Sequence, residues 1–218
     1  MSRSVDFASE RRAMVDEQLR ARGIRDERVL TAMSRVPREE FVDPDDRRRA
    51  YLDMPLAIGF GQTISQPYMV GLIAEAADVR EGDTVLDVGT GSGYAAAVLA
   101  ELGAIVHTIE RIPELAAKAR ERLAATGHDA VEVHVGDGSL GLAEEAPFDA
   151  VTVAAAAPEL PRTLYEQLVI GGRLVVPIGG PDGQRLEVAI RSPEGPAVIR
   201  SVPCRFVPLV GAQGFRIG

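Results

Sequence analysis

Short runs of apolar residues alternate with helical segments over most of the chain. Runs rich in β-branched residues at 84–89, 104–110, 131–138, 148–157 and 171–180 are predicted as buried strands. Helices are predicted between them, within the run 89–102 and over 113–126 and 161–168. This alternation indicates βαβ units and a mainly parallel sheet. Two further apolar runs, 185–192 and 197–211, have no helix between them and predict an antiparallel hairpin.

The first fifty residues are polar and predict helices. Ser9 is suited to cap a helix that runs to Gly23. A second helix is predicted over 26–36, where apolar residues recur at helical spacing and Pro37 ends the pattern. We therefore expect an N-terminal helical addition to the α/β core.

The segment 51–67 differs from both of these regions. It is nearly uncharged, and glycine and proline interrupt it. It is too apolar for an ordinary surface loop and too broken for a helix or a strand, and loops of this kind often serve a binding site. Pro67 then begins a predicted helix that reaches Ala77.

Composition narrows the functional classes. The net charge of −8 argues against a broad phosphate-binding face and hence against a nucleic-acid partner. Cys204 is the one cysteine, which excludes an intrachain disulfide. His107 and His134 have no partner at metal-ligand spacing, so we expect no metal site. The N-terminus lacks the apolar core of a signal peptide, and no apolar run reaches the ~18 residues of a membrane span. We expect a cytoplasmic protein without a membrane partner.

The strongest chemical pattern lies at the first predicted strand. Gly89, Gly91 and Gly93 leave this strand and enter a helix, which allows backbone N–H groups to approach a ligand closely. Glu110 ends the second strand, where an α/β nucleotide site places an acid for a ribose diol. Asp137 ends the third strand on the same edge of the sheet. The pattern predicts a nucleoside-type ligand at the carboxyl ends of the strands.

The glycine spacing separates two classes of nucleoside ligand. A dinucleotide fingerprint has the form G-x-G-x-x-G, as expected for an NAD-dependent oxidoreductase. Here the spacing is G-x-G-x-G after the acidic Asp87, and Tyr94 and Ala95 do not supply the further glycine. Together with Glu110 and the GDG turn, this pattern resembles the seven-stranded Rossmann-like S-adenosylmethionine-dependent methyltransferases.

A more specific resemblance covers nearly the whole chain. Segments 14–42, 53–75, 109–115, 136–151, 154–180 and 205–211 are similar to the protein-L-isoaspartate (D-aspartate) O-methyltransferase family. The run GFGQTISQP within the second of these segments is specific to that family. The departures from the family pattern are small, at Ala57, Phe60 and Ile170.

This resemblance implies an enzyme that transfers a methyl group from S-adenosyl-L-methionine to the carboxylate of L-isoaspartyl and D-aspartyl residues, leaving S-adenosyl-L-homocysteine. The ester would initiate repair of damaged proteins and peptides through a succinimide. The fold implied is a single domain over 1–218, with N-terminal helices at 1–50, a substrate loop at 51–67 and a cofactor-binding core at 82–218. We expect a monomer whose partners are isoaspartyl peptides and proteins.

Site residues carry over from the family motifs by position. Ser65 is the expected catalytic residue, and it binds the substrate together with Gln62 and Thr63. The expected cofactor-binding residues are Ile64, Gly89, Thr90, Gly91, Ser92, Gly93, Glu110, Asp137, Gly138 and Gln213.

The residue chemistry agrees with carboxyl methylation. A carboxylate with a pKa near ~4 is already ionised at neutral pH and needs no general base. Neutral hydroxyl donors such as Thr63 and Ser65 can align it without binding it too firmly to react. A different reading makes Ser65 the cap of the helix that follows it. Two other functions stay open: methylation of a dedicated Asp in a biosynthetic peptide, and cofactor binding without catalysis.

Overall fold

A computed structural model describes residues 5–216. The N-terminal helix α1 (Phe7–Ala13) continues as a π-helical turn over Met14–Leu19 and a 3₁₀ turn over Arg20–Arg22. Its N-cap is Asp6, whose carboxylate accepts the backbone N–H of Ser9 at 3.1 Å. The prediction that Ser9 caps the helix is wrong, because Ser9 already lies in the first turn. Helix α2 (Glu27–Arg35) lies within one residue of the predicted bounds at each end, with Asp26 as its cap.

Residues 51–67 contain a small antiparallel hairpin, which corrects the prediction of an irregular loop. Strand β1 (Leu56–Gly59) pairs with β2 (Gln62–Ile64). Leu56 and Ile58 are buried and alternate with exposed neighbours, as in any half-buried strand. The turn between the strands holds Gly59, Phe60 and Gly61 with positive φ angles. Helix α3 (Pro67–Ala77) follows, as predicted.

The remaining strands form one seven-stranded sheet. They are β3 (Thr84–Val88), β4 (Ile105–Glu110), β5 (Glu132–Val135), β6 (Phe148–Val153), β7 (Leu168–Gly180), β8 (Gly183–Ser192) and β9 (Gly195–Cys204). Their order across the sheet is β5-β4-β3-β6-β7-β8-β9. The first five in this order are parallel, and β8 and β9 continue as an antiparallel pair. The predicted mainly parallel sheet with a C-terminal hairpin is confirmed.

Helices α4 (Tyr94–Glu101), α5 (Pro113–Ala125) and α6 (Arg162–Glu166) connect the parallel strands. Several boundaries differ from prediction, most of them by a few residues, and two of these differences are large enough to change the architecture. Strand β7 begins at Leu168, before the predicted 171, and β9 ends at Cys204, so that the apolar segment 205–211 leaves the sheet. Among the described residues, no helix is long and apolar enough to cross a membrane.

Along each strand, successive side chains point to opposite faces of the sheet, and the apolar ones form two hydrophobic cores, one on each face. Val85 and Val106 pack with α2, α3, α4 and α5 on one face. Leu86 and Ile109 pack on the other face with Phe148 and the residues around α6. Between β3 and β6 the chain reverses the direction in which it adds strands. Such a switch point leaves a crevice at the carboxyl ends of the strands, where ligands bind in open α/β sheets.

Candidate active site

The glycine turn lies at this switch point. It leaves β3 after Val88 and enters α4 at Tyr94. The backbone N–H of Gly89 donates to the carbonyl of Ile109 at 2.9 Å, which ties the turn to the end of β4. Gly91 has a φ of +53°, and a Cβ atom there would lie 3.3 Å from Ile58 of the β1–β2 hairpin. Glycine therefore serves both the backbone conformation and the close approach of the hairpin.

Glu110 lies against the glycine turn. One of its carboxylate oxygens accepts the N–H of Gly91 at 2.9 Å, and the other accepts the N–H of Ile112 at 3.0 Å. The side chain is buried, with 7% of the residue exposed. These bonds fix the carboxylate at the carboxyl end of β4, the place that the sequence predicts for a ribose acceptor.

A cavity of about 310 Å³ opens at this point. Glu110 forms one polar part of its wall, and apolar side chains form much of the rest. A volume of this size suits a small ligand, and apolar walls with a few polar groups are typical of such sites. The described residues of the wall are Gly61, Gln62, Thr63, Val88, Gly89, Gly91, Ile109, Glu110, Arg111, Ile112, Gly138, Ala154, Ala155, Val207, Pro208, Leu209 and Val210.

The structure brings some of the predicted cofactor residues to this wall and leaves others behind it. Gly89, Gly91, Glu110 and Gly138 line the cavity. The other predicted cofactor residues are not among the described residues of the wall. They are Ile64, Thr90, Ser92, Gly93, Asp137 and Gln213. Gln62 and Thr63, predicted to bind substrate, line this same cavity.

Behind the turn, a hydrogen-bonded network supports the floor of the cavity. The hydroxyl groups of Thr152 and Thr108 each lie 2.9 Å from the Asp87 carboxylate, and Thr90 lies 2.7 Å from Thr108. Burial raises the pKa of Asp87 to about 6, against the hydrogen bonds from Thr152 and Thr108. Thr90 and Asp87 therefore lie in this network and not in the described wall of the cavity. Thr108 and Thr152 were not predicted from the sequence, where the one signal for each is a polar residue inside an apolar strand.

Asp137 fastens the C-terminal segment to the site. Its carboxylate accepts the N–H and the hydroxyl of Ser139 at 3.0 and 2.7 Å, and the N–H of Ala212 at 2.7 Å. Burial raises the pKa of Asp137, but the hydrogen bonds from Ala212 and Ser139 outweigh this effect and hold the pKa below its usual value. The backbone N–H of Gln213 donates to the Ser139 hydroxyl at 2.9 Å, while the residue itself is exposed. These bonds hold residues 208–210 in the cavity wall.

A second cavity of about 290 Å³ adjoins the first. The two share Thr63, Ala154 and Val207, so Thr63 stands between them. Of these two cavities, Ser65 lines only the second. The described residues of its wall are Pro55, Thr63, Ser65, Gln66, Met69, Ala154, Arg205, Phe206 and Val207. Arg205 is a cation that sequence analysis did not select, since nothing in the local pattern connects it with the hairpin.

Ser65 is held by its backbone. The alternative in which Ser65 caps α3 is wrong: Gln66 occupies the N-cap position, and no described side chain makes a capping hydrogen bond there. Instead, the carbonyl of Ser65 accepts a hydrogen bond from the guanidinium of Arg38 at 2.8 Å. Arg38 is fully buried and also donates to the carbonyl of Ala50 at 2.7 Å. In the sequence, Arg38 is one of many charged residues in the polar N-terminal region, and nothing near it predicts this contact.

Comparison with known proteins agrees with this geometry. The sequence profile of the family described as protein-L-isoaspartate (D-aspartate) O-methyltransferase matches residues 9–214. A protein-L-isoaspartate O-methyltransferase of Koribacter versatilis is 53% identical, with 96% of this chain and 94% of the relative covered. One from Marinobacter nauticus is 54% identical, with coverages of 96% and 97%.

The solved structures that resemble this chain include proteins described with the same activity as these relatives. A protein-L-isoaspartate O-methyltransferase superposes with a TM-score of 0.82 at 27% identity, over 93% of this chain and 67% of the other. A Plasmodium falciparum protein, described under the same activity and solved in complex with S-adenosyl-L-homocysteine, has a TM-score of 0.80 at 26% identity, over 92% and 98% of the two chains.

The sheet order, the glycine turn and these similarities define an S-adenosylmethionine-dependent methyltransferase. Within that class, the chain belongs to the protein-L-isoaspartate (D-aspartate) O-methyltransferase family.

Proposed function

We propose that this enzyme transfers a methyl group from S-adenosyl-L-methionine to the free carboxylate of L-isoaspartyl and D-aspartyl residues in damaged proteins and peptides. The observation that carries the proposal is the pair of adjoining cavities that share Thr63. One has the features of a nucleoside site, and the other has hydroxyl donors and a cation suited to an anionic peptide group. A shared wall is what direct transfer between two bound reactants requires.

The first cavity fits the cofactor by its donor set. Gly89, Gly91 and Gly138 keep its walls free of side chains, and Glu110 offers carboxylate oxygens of the kind that accept hydrogen bonds from a ribose diol. Ile109, Ile112 and Leu209 offer apolar surface for an aromatic base. When bound, the cofactor supplies an electrophilic methyl group on a sulfonium.

In the second cavity, Ser65 and Thr63 act as neutral donors to the substrate carboxylate. They orient the attacking oxygen without forming an ion pair that would suppress its reactivity. Arg205, in the same wall, adds attraction for an anionic substrate. Alignment of this kind contributes up to about 7–11 kcal/mol to a displacement that needs no general base. The backbone amide nitrogen that follows then attacks the ester carbonyl and closes a succinimide; the C–O bond of the ester breaks, and the amide proton leaves with the methoxide as methanol, a step that needs no protein group.

The proposal extends to the setting of the enzyme. It acts as a monomer of one domain in the cytoplasm, on isoaspartyl peptides and not on nucleic acid. A monomer is favoured because residues of one chain are sufficient to line both cavities. The net charge of −8 argues against a nucleic-acid partner. The single cysteine provides no disulfide framework, which is typical of cytoplasmic proteins.

We expect Glu110→Ala to weaken binding of S-adenosyl-L-homocysteine about 10- to 150-fold, because a charge-assisted hydrogen bond contributes roughly 1.5–3 kcal/mol. Titration calorimetry of folded variants measures this. Glu110→Gln keeps one acceptor for the Gly91 N–H and should fall between Glu110→Ala and the parent. Glu114→Ala, which removes an exposed carboxylate from the first turn of α5, is the matched control. Unchanged affinity in a folded Glu110→Ala protein would exclude this role.

The chemistry of the product tests the function. The enzyme is incubated with methyl-labelled S-adenosyl-L-methionine and an L-isoaspartyl peptide. A carboxyl methyl ester should form, release its label as methanol in mild base, and yield a mixture of aspartyl and isoaspartyl peptide. A base-stable methyl group would contradict carboxyl methylation. Tight cofactor binding without any transfer would support the non-catalytic alternative instead.

A further inference from the structure

We infer that His107, Glu132 and His134 form a binding site for a divalent transition-metal ion of the Zn²⁺ class. The site lies on β4 and β5, at the edge of the sheet, and it is independent of the proposed methyl transfer. This proposal reverses the expectation of no metal site, which was based on the spacing of His107 and His134 along the chain.

Strand pairing brings the three residues together. In the parallel register, His107 lies opposite Glu132, and Ile109 lies opposite His134. Val133 packs in the core on one face, so Glu132 and His134 project to the other face by alternation. His107 projects to that face too, with its ring centroid 6.2 Å from that of Phe148.

The three ligand atoms form a triangle of suitable size. His107 Nδ1 lies 3.3 Å from His134 Nε2 and 3.7 Å from one Glu132 carboxylate oxygen, and that oxygen lies 3.9 Å from His134 Nε2. The point in the plane of the triangle that is equidistant from all three atoms lies about 2.1 Å from each, and an ion displaced slightly from this plane toward a fourth ligand would lie about 2.2 Å from each, close to the lengths of Zn–N and Zn–O bonds. Among the described residues, no other group of three histidine, cysteine, aspartate or glutamate side chains lies close enough together to hold a metal ion.

A hydrogen bond between the two imidazoles alone accounts less well for this arrangement. The separation of 3.3 Å is longer than a usual N–H hydrogen bond, while neighbouring ligands around a tetrahedral zinc ion are about 3.3 Å apart. The carboxylate of Glu132 adds the negative charge that a dication favours. Two imidazoles with one carboxylate select zinc, nickel or copper over magnesium or calcium.

Burial gives the site an anchored side and an open side. The side chain of His107 is 7% exposed, that of His134 is 26% exposed, and that of Glu132 is 63% exposed. An ion can therefore enter from solvent and complete its coordination with water. Strand β5 is the edge strand and pairs only with β4 in the described sheet. A bound ion would join these strands directly, so binding should raise the melting temperature.

Metal titration of untagged, chelator-treated protein tests this site. We expect one Zn²⁺ per chain by calorimetry, an intense visible spectrum of tetrahedral type with Co²⁺, and no competition from Mg²⁺. His134→Ala should weaken Zn²⁺ binding about 100-fold or more, and Glu132→Gln about 10-fold. Both side chains are partly exposed, so the variants should fold, which circular dichroism verifies.

His128→Ala is the matched control. His128 also lies near a carboxylate, with its Nε2 atom 3.9 Å from Glu101, but the described structure gives it no third ligand. Its Zn²⁺ affinity should stay within about twofold of the parent. Absence of stoichiometric Zn²⁺ binding, or equal affinity in His134→Ala, would overturn the proposal. Either result leaves the methyl-transfer proposal untouched, because every readout here is metal binding.

Discussion

A Ser65→Asp variant should lose methyl transfer to isoaspartyl peptides almost completely while it keeps its fold. The new carboxylate would face the substrate carboxylate in the second cavity, where like charges repel and the hydroxyl donor is lost. Ser65→Ala removes the donor without adding charge. We expect its turnover to fall by about one to two orders of magnitude, as for the loss of one donor that acts mainly in the transition state.

Stability measurements separate this role from a structural one. Because Gln66, and not Ser65, occupies the N-cap of α3, the stability of Ser65→Ala should stay within about 0.5 kcal/mol of the parent. A lost cap would cost about 1 kcal/mol. Ser65→Thr keeps a hydroxyl and should retain more activity than Ser65→Ala. The measurements are initial methylation rates and melting curves. A stable, fully active Ser65→Asp protein would remove Ser65 from the mechanism and leave Thr63 as the principal donor.

Arg38→Ala should destabilise the protein by about 3–5 kcal/mol, because it opens a cavity and leaves one buried and one partly buried carbonyl group without donors. Those carbonyls belong to Ala50 and Ser65. The guanidinium also lies 4.9 Å from the ring centroid of Tyr94. Burial lowers the pKa of Arg38 to about 10, so the group is still charged at neutral pH.

Urea denaturation measures this effect, with Arg35→Ala as the control. The side chain of Arg35 is 66% exposed and pairs with Glu101, so its loss should cost no more than about 1 kcal/mol. Since Arg38 holds the Ser65 backbone, Arg38→Lys should also show a reduced turnover at temperatures where it stays folded. An Arg38→Ala protein as stable as Arg35→Ala would contradict this account of the buried guanidinium.

The parallel core could be predicted from the sequence because its signals are local. Each strand is a short apolar run, and each helix has apolar residues that recur at helical spacing. Glu110 could be singled out because its position at the end of β4 follows from the strand itself. The same reasoning missed the β1–β2 hairpin, since its buried positions are few and three residues with positive φ interrupt them.

Long-range packing could not be predicted. Nothing in the sequence near Arg38 indicates that its guanidinium reaches Ser65, since that contact depends on how the N-terminal helices pack on the sheet. Likewise, His107 and His134 meet only because β4 and β5 are neighbours in a particular register. Asp137 stays a predicted cofactor residue, and its hydrogen bonds with Ser139 and Ala212 are further long-range contacts that no local pattern indicates.

The most direct test of the account is a comparison of kcat/KM for three peptides that differ at one residue: L-isoaspartyl, D-aspartyl and L-aspartyl. We predict that the L-isoaspartyl peptide is methylated at least about 100-fold more efficiently than its L-aspartyl counterpart, since a site that orients a carboxylate discriminates strongly against a displaced one. The D-aspartyl peptide should also be a substrate. Equal kcat/KM values for the L-isoaspartyl and L-aspartyl peptides would contradict the proposed function.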